Sequence, residues 1–130
     1  LNGRIYHESF KLETAREVAR AILVGEVELV TRRGSPDGCL MVQGALATSP
    51  ESEKISGMMS RMRATAEKWM AQRFRRAIKE KDLPPDADPK ALACYIMTLN
   101  SGLAVQAKSG VSRKQLLRVV DIAMQSWPDK

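Results

Sequence analysis

"GCLMVQGALATSPES", residues 38–52, sets an almost uncharged apolar run directly against a helix-start signal. The reading of that run decides the fold. As a buried strand, Cys39 to Ala47 would need a partner, because unpaired backbone N–H and C=O groups inside a protein are costly. No strand partner lies nearby in the sequence. Leu40, Met41, Gln43, Ala45, Leu46 and Ala47 include good helix formers. The run therefore reads as a short helix, and the chain as all-α.

Helix signals surround it. Thr14-x-x-Glu17 is a capping-box pattern, in which each side chain satisfies an otherwise unpaired N–H. Val18, Ala19, Ile22, Leu23 and Val30 follow at the spacing of one buried face. The run Arg32 to Gly38 then stops that helix. After the quoted stretch, Ser49-Pro50-Glu51 opens a long helix expected to reach about Lys81. Ile55, Met58, Met59, Met62, Ala66, Trp69 and Met70 share one broad face of it. Asp88-Pro89 caps a further helix, Gly110 suits its left-handed end, and Ser112-x-x-Gln115 opens the last one. Trp127-Pro128 closes the order. The expected architecture is a helical bundle whose last two helices form a hairpin.

Composition fits one domain. At 130 residues with 44% hydrophobic content, the chain can bury roughly two-thirds of its unfolded surface. No stretch approaches the ~20 apolar residues of a membrane-spanning helix. No signal-peptide pattern opens the chain, so a cytoplasmic protein with no membrane partner is expected. The net charge of +6 is concentrated in residues 50–81, which carry nine basic and four acidic groups. Lys54, Arg61, Lys68 and Arg75 recur every seven residues as one slowly drifting stripe. Nucleic-acid surfaces interleave such charge with aromatics or Gly-rich loops, and none is interleaved here, so the stripe reads as a solvated face.

Catalytic chemistry finds little support. His7, the single histidine, lies in a leader without helical pattern, and no base accompanies a Ser or Cys nucleophile. Asp86 and Asp88 share a loop, but helix capping accounts for Asp88. Cys39 and Cys94 stand apart from His7 and from each other, so no metal site is expected. They read as small buried side chains in a reducing compartment. No cofactor motif occurs, and no enzyme is expected. The methionines are more informative. Met58, Met59, Met62 and Met70 cluster with Trp69, and flexible, polarizable Met suits either an ordinary helical core or a cavity that adapts to apolar guests.

The order of segments is similar to a known family. A capped helix, then Gly-Cys-Leu-Met-Val, Ser-Pro-Glu-Ser before a long charged helix, Ala-Asp-Pro-Lys-Ala-Leu-Ala, Gly-Leu-Ala-Val-Gln-Ala-Lys-Ser-Gly-Val-Ser-Arg-Lys-Gln-Leu and a final Trp-Pro resemble the C-terminal regulatory domain of TetR/AcrR-type transcriptional repressors. The resemblance covers about residues 14–128. It implies a single helical domain over 1–130 that binds a small, mostly apolar effector and forms a homodimer. Its last two helices would pair with their counterparts as a four-helix bundle about a two-fold axis. Leu103, Leu116, Leu117, Val120, Ala123, Met124 and Trp127 are the expected interface, with Gly102 and Ala104 allowing close approach. Ile22, Met41, Gln43, Met59, Met62, Trp69, Tyr95 and Leu99 are the expected ligand-binding residues, with Gln43, Tyr95 and Asn100 orienting a polar group.

Members of this family read the major groove with an N-terminal helix-turn-helix. Nothing in Leu1 to Thr14 resembles one. DNA contact is therefore expected only through an N-terminal domain absent from this chain, and the non-Met start favours its removal. The competing reading is a helical protein-interaction module without a ligand, which would have a filled core and a different partner chain.

Overall fold

A computed structural model describes residues 2–32 and 50–129. The short helix read at Cys39 to Ala47, with Met41 and Gln43, lies outside the described residues. Within them the chain forms five helices and no strand: α1 (Asn2–Ser9), α2 (Ala15–Thr31), α3 (Pro50–Lys79), α4 (Pro89–Lys108) and α5 (Arg113–Gln125).

Local capping accounts for most helix ends. Thr14 Oγ1 accepts from Glu17 N at 3.1 Å and donates to Glu17 Oε1 at 2.9 Å. The glutamate thus meets the threonine hydroxyl instead of reaching back to the Thr14 N–H. A second orphan donor of this helix, Ala15 N, is satisfied by Asp82 Oδ2 at 2.6 Å, from the loop after α3. Asp88 Oδ1 accepts from Ala91 N at 3.0 Å, and Ser112 Oγ accepts from Gln115 N at 3.1 Å. Gly110, at φ +96°, sits where only a residue without Cβ is unstrained. The amides of Gly110 and Val111 then close on Ala107 and Gln106 O. The long helix ends at Lys79, two residues earlier than expected. Lys81 turns left-handed at φ 63°, and Asp82 N and Leu83 N both return to Ala77 O.

The leader is a helix. Tyr6 and Ser9 of α1 are buried, and Tyr6 Oη donates to Met97 Sδ at 3.5 Å. Gly25 allows this docking, since a Cβ there would stand 3.0 Å from Ile5 Cγ2. Eight residues are too few to display a period, so nothing local announced the helix.

The core lies around α2, which touches all four other helices. Val18, Ala19, Ile22, Leu23 and Val27 meet Met70 and Phe74 of α3, Ile96 of α4, and Leu116 and Val120 of α5 in one cluster. Phe74 meets Trp127 edge-on at 5.3 Å. Both α4 and α5 pack on α2 far more than on each other, so the hairpin is splayed across α2. Arg20–Asp121 at 2.8 Å and Arg113–Glu28 at 3.1 Å set α5 antiparallel to α2. Arg16 locks the far end, donating to Met124 O at 2.6 Å and to Asp129 Oδ1 at 2.8 Å.

On α3 the broad face divides. Ala66 and Met70 are buried with Ala71, Phe74 and Ala77, whereas Ile55, Met58, Met62 and Trp69 are exposed. Lys54, Arg61, Lys68 and Arg75 are exposed, as a solvated stripe requires. Cys94 corrects the expectation of a buried thiol: it is exposed on α4, its Sγ 4.0 Å from Thr98 Oγ1.

Candidate functional site

The apolar face of α4 carries one polar interruption. Ala93, Ile96, Met97, Leu103 and Ala104 are buried, and between them Asn100 is only 5% exposed. Its Oδ1 has no hydrogen-bond partner. A buried carbonyl in that state costs about 1–3 kcal/mol. The helix tolerates an expensive group at the middle of its best-packed face.

Neighbouring elements supply more polarity at this level. Tyr6 reaches Met97, Ile5 lies on Gly25, and Val30 clusters with Ala104, so α2 and α4 run parallel. Glu26, four residues before Val30, therefore stands level with Asn100, four before Ala104, and Glu26 is buried. From α3, Arg63 lines a pocket of about 310 Å³ with Cys94, Met97, Thr98 and Ser101 of α4. Arg63 Nε is buried without a partner.

The ligand residues expected from sequence occupy different places. Ile22 is buried in the core cluster. Met59 is half-buried against Val30 and Ala104, one turn from the Asn100 level, and Leu99 is half-buried against the main core. Met62 is exposed. Trp69 is 48% exposed and lines a different pocket, of about 620 Å³, between α1 and α3. Tyr95 is exposed on the α4–α5 surface, its hydroxyl 3.5 Å from Ser126 Oγ. Met41 and Gln43 lie outside the described residues. A third pocket, about 590 Å³, lies beside Ile5 and Gly25, with the Glu28–Arg113 pair in its wall.

The expected interface residues are placed inside the chain. Leu103, Leu116, Val120, Ala123, Met124 and Trp127 are buried in the chain's own core, and Leu117 is half-buried against it. Ala104 is buried against Val30. The apolar side chains that α4 and α5 leave outside are Tyr95, Val105, Val119 and Ile122, the last 64% exposed. Gly102 stands among them with open space where a Cβ would be. Ile122 was missed from sequence, although its position two residues from Val120 puts it across the helix from the buried face.

Arg73 was also missed. It is 5% exposed, with Nε donating to Phe10 O at 3.0 Å and Nη2 to Leu12 O at 2.9 Å and Glu13 O at 3.3 Å. Burial pushes its pKa below the usual arginine value. Arg76 adds to that, and Glu80 and Asp82 oppose it. The guanidinium fastens the α1–α2 linker to α3. Among the described residues, no three His, Cys, Asp or Glu side chains are grouped to hold a metal, and no helix is long and apolar enough to cross a membrane.

Three comparisons bear on this arrangement. Residues 15–123 match the family described as the tetracyclin repressor-like C-terminal domain. The HTH-type transcriptional repressor ComR of Escherichia coli K12 is 24% identical over 99 residues, 76% of this chain and 47% of that protein. CifR, a TetR family transcriptional regulator solved as a cysteine mutant with 26-base-pair operator DNA, is 37% identical with a TM-score of 0.88; the likeness covers 97% of this chain and 66% of that one. A TetR-type regulator from Rhodococcus sp. RHA1 is 33% identical with a TM-score of 0.77, over 98% of this chain and 68% of its own. The chain thus spans about half of the repressor and two-thirds of the solved regulators.

Proposed function

The chain belongs to the tetracyclin repressor-like C-terminal domain family, and on that premise we propose that it is the effector-binding, dimerising part of a cytoplasmic transcriptional repressor. DNA contact is assigned to a helix-turn-helix outside residues 1–130. The 37% identity to a regulator solved on operator DNA supports that role.

The effector enters between α2, α3 and α4 at the level of Asn100. The unpartnered Oδ1 is the single observation that carries this assignment. A small, mostly apolar molecule with one hydrogen-bond donor satisfies that oxygen, while Met59, Ile22 and Leu99 supply apolar neighbours from three helices. Met adapts its shape to the guest. Occupancy favours one spacing of α2, α3 and α4, and that spacing sets the separation of the paired reading heads.

Dimerisation uses the outer face of α4 and α5, with Ile122, Val119, Tyr95 and Gly102 against their two-fold mates. Leu103, Leu116, Leu117, Val120, Ala123, Met124 and Trp127 support that face from beneath. Light scattering of the 130-residue chain over a range of concentrations tests the proposal. A species of twice the chain mass is the expected result. A monomer at every concentration removes the two-fold bundle, and with it the coupling between effector and reading heads.

A further inference from the structure

We infer that the groove between α1 and α3 is a second binding site, separate from the effector position proposed at Asn100, for a small aromatic organic anion. Its volume of about 620 Å³ falls within the range of small-molecule pockets. The lining comes from His7, Phe10, Trp69, Gln72, Arg73 and Arg76, and none of these belongs to α2, α4 or α5. The groove therefore shares no wall residue with the Asn100 level or with the outer face of the last two helices.

Its charge is one-sided, since no lining side chain is acidic. Arg73 is held by the carbonyls of Phe10, Leu12 and Glu13, which orient the guanidinium without neutralising it. Its Nη1 has no partner at all. Glu80 and Asp82 act on it without forming an ion pair, so the buried cation is only partly compensated, and an anion settling above it offsets the remaining cost. Arg76 spends only Nε on Glu80, at 3.4 Å, in a half-exposed pair, so its Nη groups remain to donate.

The aromatic side chains narrow the ligand class. Trp69 is 48% exposed on the α3 wall, and half-buried Phe10 stands beyond the end of α1. An inorganic anion would use the arginines and leave both rings in water. A flat ring bearing a carboxylate uses both, stacking on the indole while the acid meets Arg76 above the Arg73 charge. His7 and Gln72 add polar groups at the rim.

Calorimetric titration of the 130-residue chain with 1-naphthoate tests this, with the neutral 1-naphthalenemethanol as the uncharged match. One naphthoate per chain is expected, with the alcohol at least about tenfold weaker. Trp69→Ala, a change at an exposed helical position, should weaken naphthoate about tenfold with the helical circular dichroism unchanged. Arg76→Gln should weaken it several-fold, whereas Lys114→Gln, which removes the same charge from exposed α5 surface, should not. Arg73 is left alone because it fastens the linker. Equal binding of acid and alcohol, equal effects of Arg76→Gln and Lys114→Gln, indifference to Trp69→Ala, or no naphthoate binding at millimolar concentration would each overturn the assignment.

Discussion

Asn100→Leu should make the protein more stable and less responsive. The side chains have the same heavy-atom skeleton, but the two methyls of leucine are bulkier than the amide oxygen and NH2, so the change adds volume as well as exchanging chemistry. The wild-type Oδ1 is buried without a partner, and removing such a group recovers about 1–3 kcal/mol. The new methyls would lie among Ile96, Met97, Leu103 and Ala104, all buried on the same helical face. Their extra bulk costs about 1–3 kcal/mol in repacking, largely offset by burying the added apolar groups at ~0.8 kcal/mol each. The net expectation is a gain of about 1–2 kcal/mol, or roughly 3–8 °C in Tm for a domain of this size. Urea unfolding followed by circular dichroism at fixed protein concentration measures it, and an unchanged slope shows that the midpoint shift is a stability change. A loss of 1 kcal/mol or more would refute the reasoning, because the amide would then be a satisfied structural group. The same substitution should abolish effector-dependent release from operator in the whole regulator, as stability gained at a functional group commonly costs function.

Three further substitutions probe other parts of the argument. Ile122→Glu should halve the solution mass by light scattering while leaving the helical spectrum intact, because Ile122 is 64% exposed within one chain. Phe74→Ala removes a fully buried ring at 5.3 Å from Trp127 and should cost about 3–5 kcal/mol in urea unfolding, with Trp127 emission shifted to the red. Asp82→Ala deletes the acceptor of Ala15 N and should cost about 1–2 kcal/mol by the same measurement, although Asp82 lies in a loop 67 residues away in sequence.

Whatever depends on neighbours in sequence was legible. Thr14, Asp88 and Ser112 each cap three residues ahead, and Gly110 turns left-handed where a helix must stop. The exposed Lys54, Arg61, Lys68 and Arg75 follow from the seven-residue spacing alone. Contacts between distant segments were not legible. The helix α1 exists because Ile5 finds Gly25 and Tyr6 finds Met97, and neither pairing leaves a local trace. Arg73 sits in an Arg-Phe-Arg-Arg run that reads as solvated surface. Its burial is set by three carbonyls some sixty residues earlier. The outer half of the methionine face misled for the opposite reason. Met58 and Met62 follow the period of Met70 but are exposed, while Met59 between them packs on Val30 and Ala104, so the early turns of α3 bury a narrower stripe than the spacing suggests.

Helix α5 shows why periodicity cannot separate a core from an interface. Leu116, Val120, Ala123 and Met124 form one apolar arc, spent mainly on α2 and less on α4, and Trp127 just beyond the helix end meets Phe74 of α3. Val119 and Ile122 form a second, on the other side, exposed. A helix apolar on two sides reads from sequence as one wide stripe, and only packing reveals which arc is already used. The unused arc sets the character of a dimer. A stable interface buries about 800 Å² on each partner, and Ile122, Val119, Tyr95 and Val105 are too few to supply that area alone. The remainder must come from polar and small neighbours such as Thr98, Gly102, Gln106, Gln115 and Arg118, all exposed. The proposed bundle would then be a small apolar centre inside a broad polar rim. Energy in such an interface concentrates at the centre, so a single charge at Ile122 suffices to separate the chains, while substitutions at Gln106 or Gln115 should be tolerated.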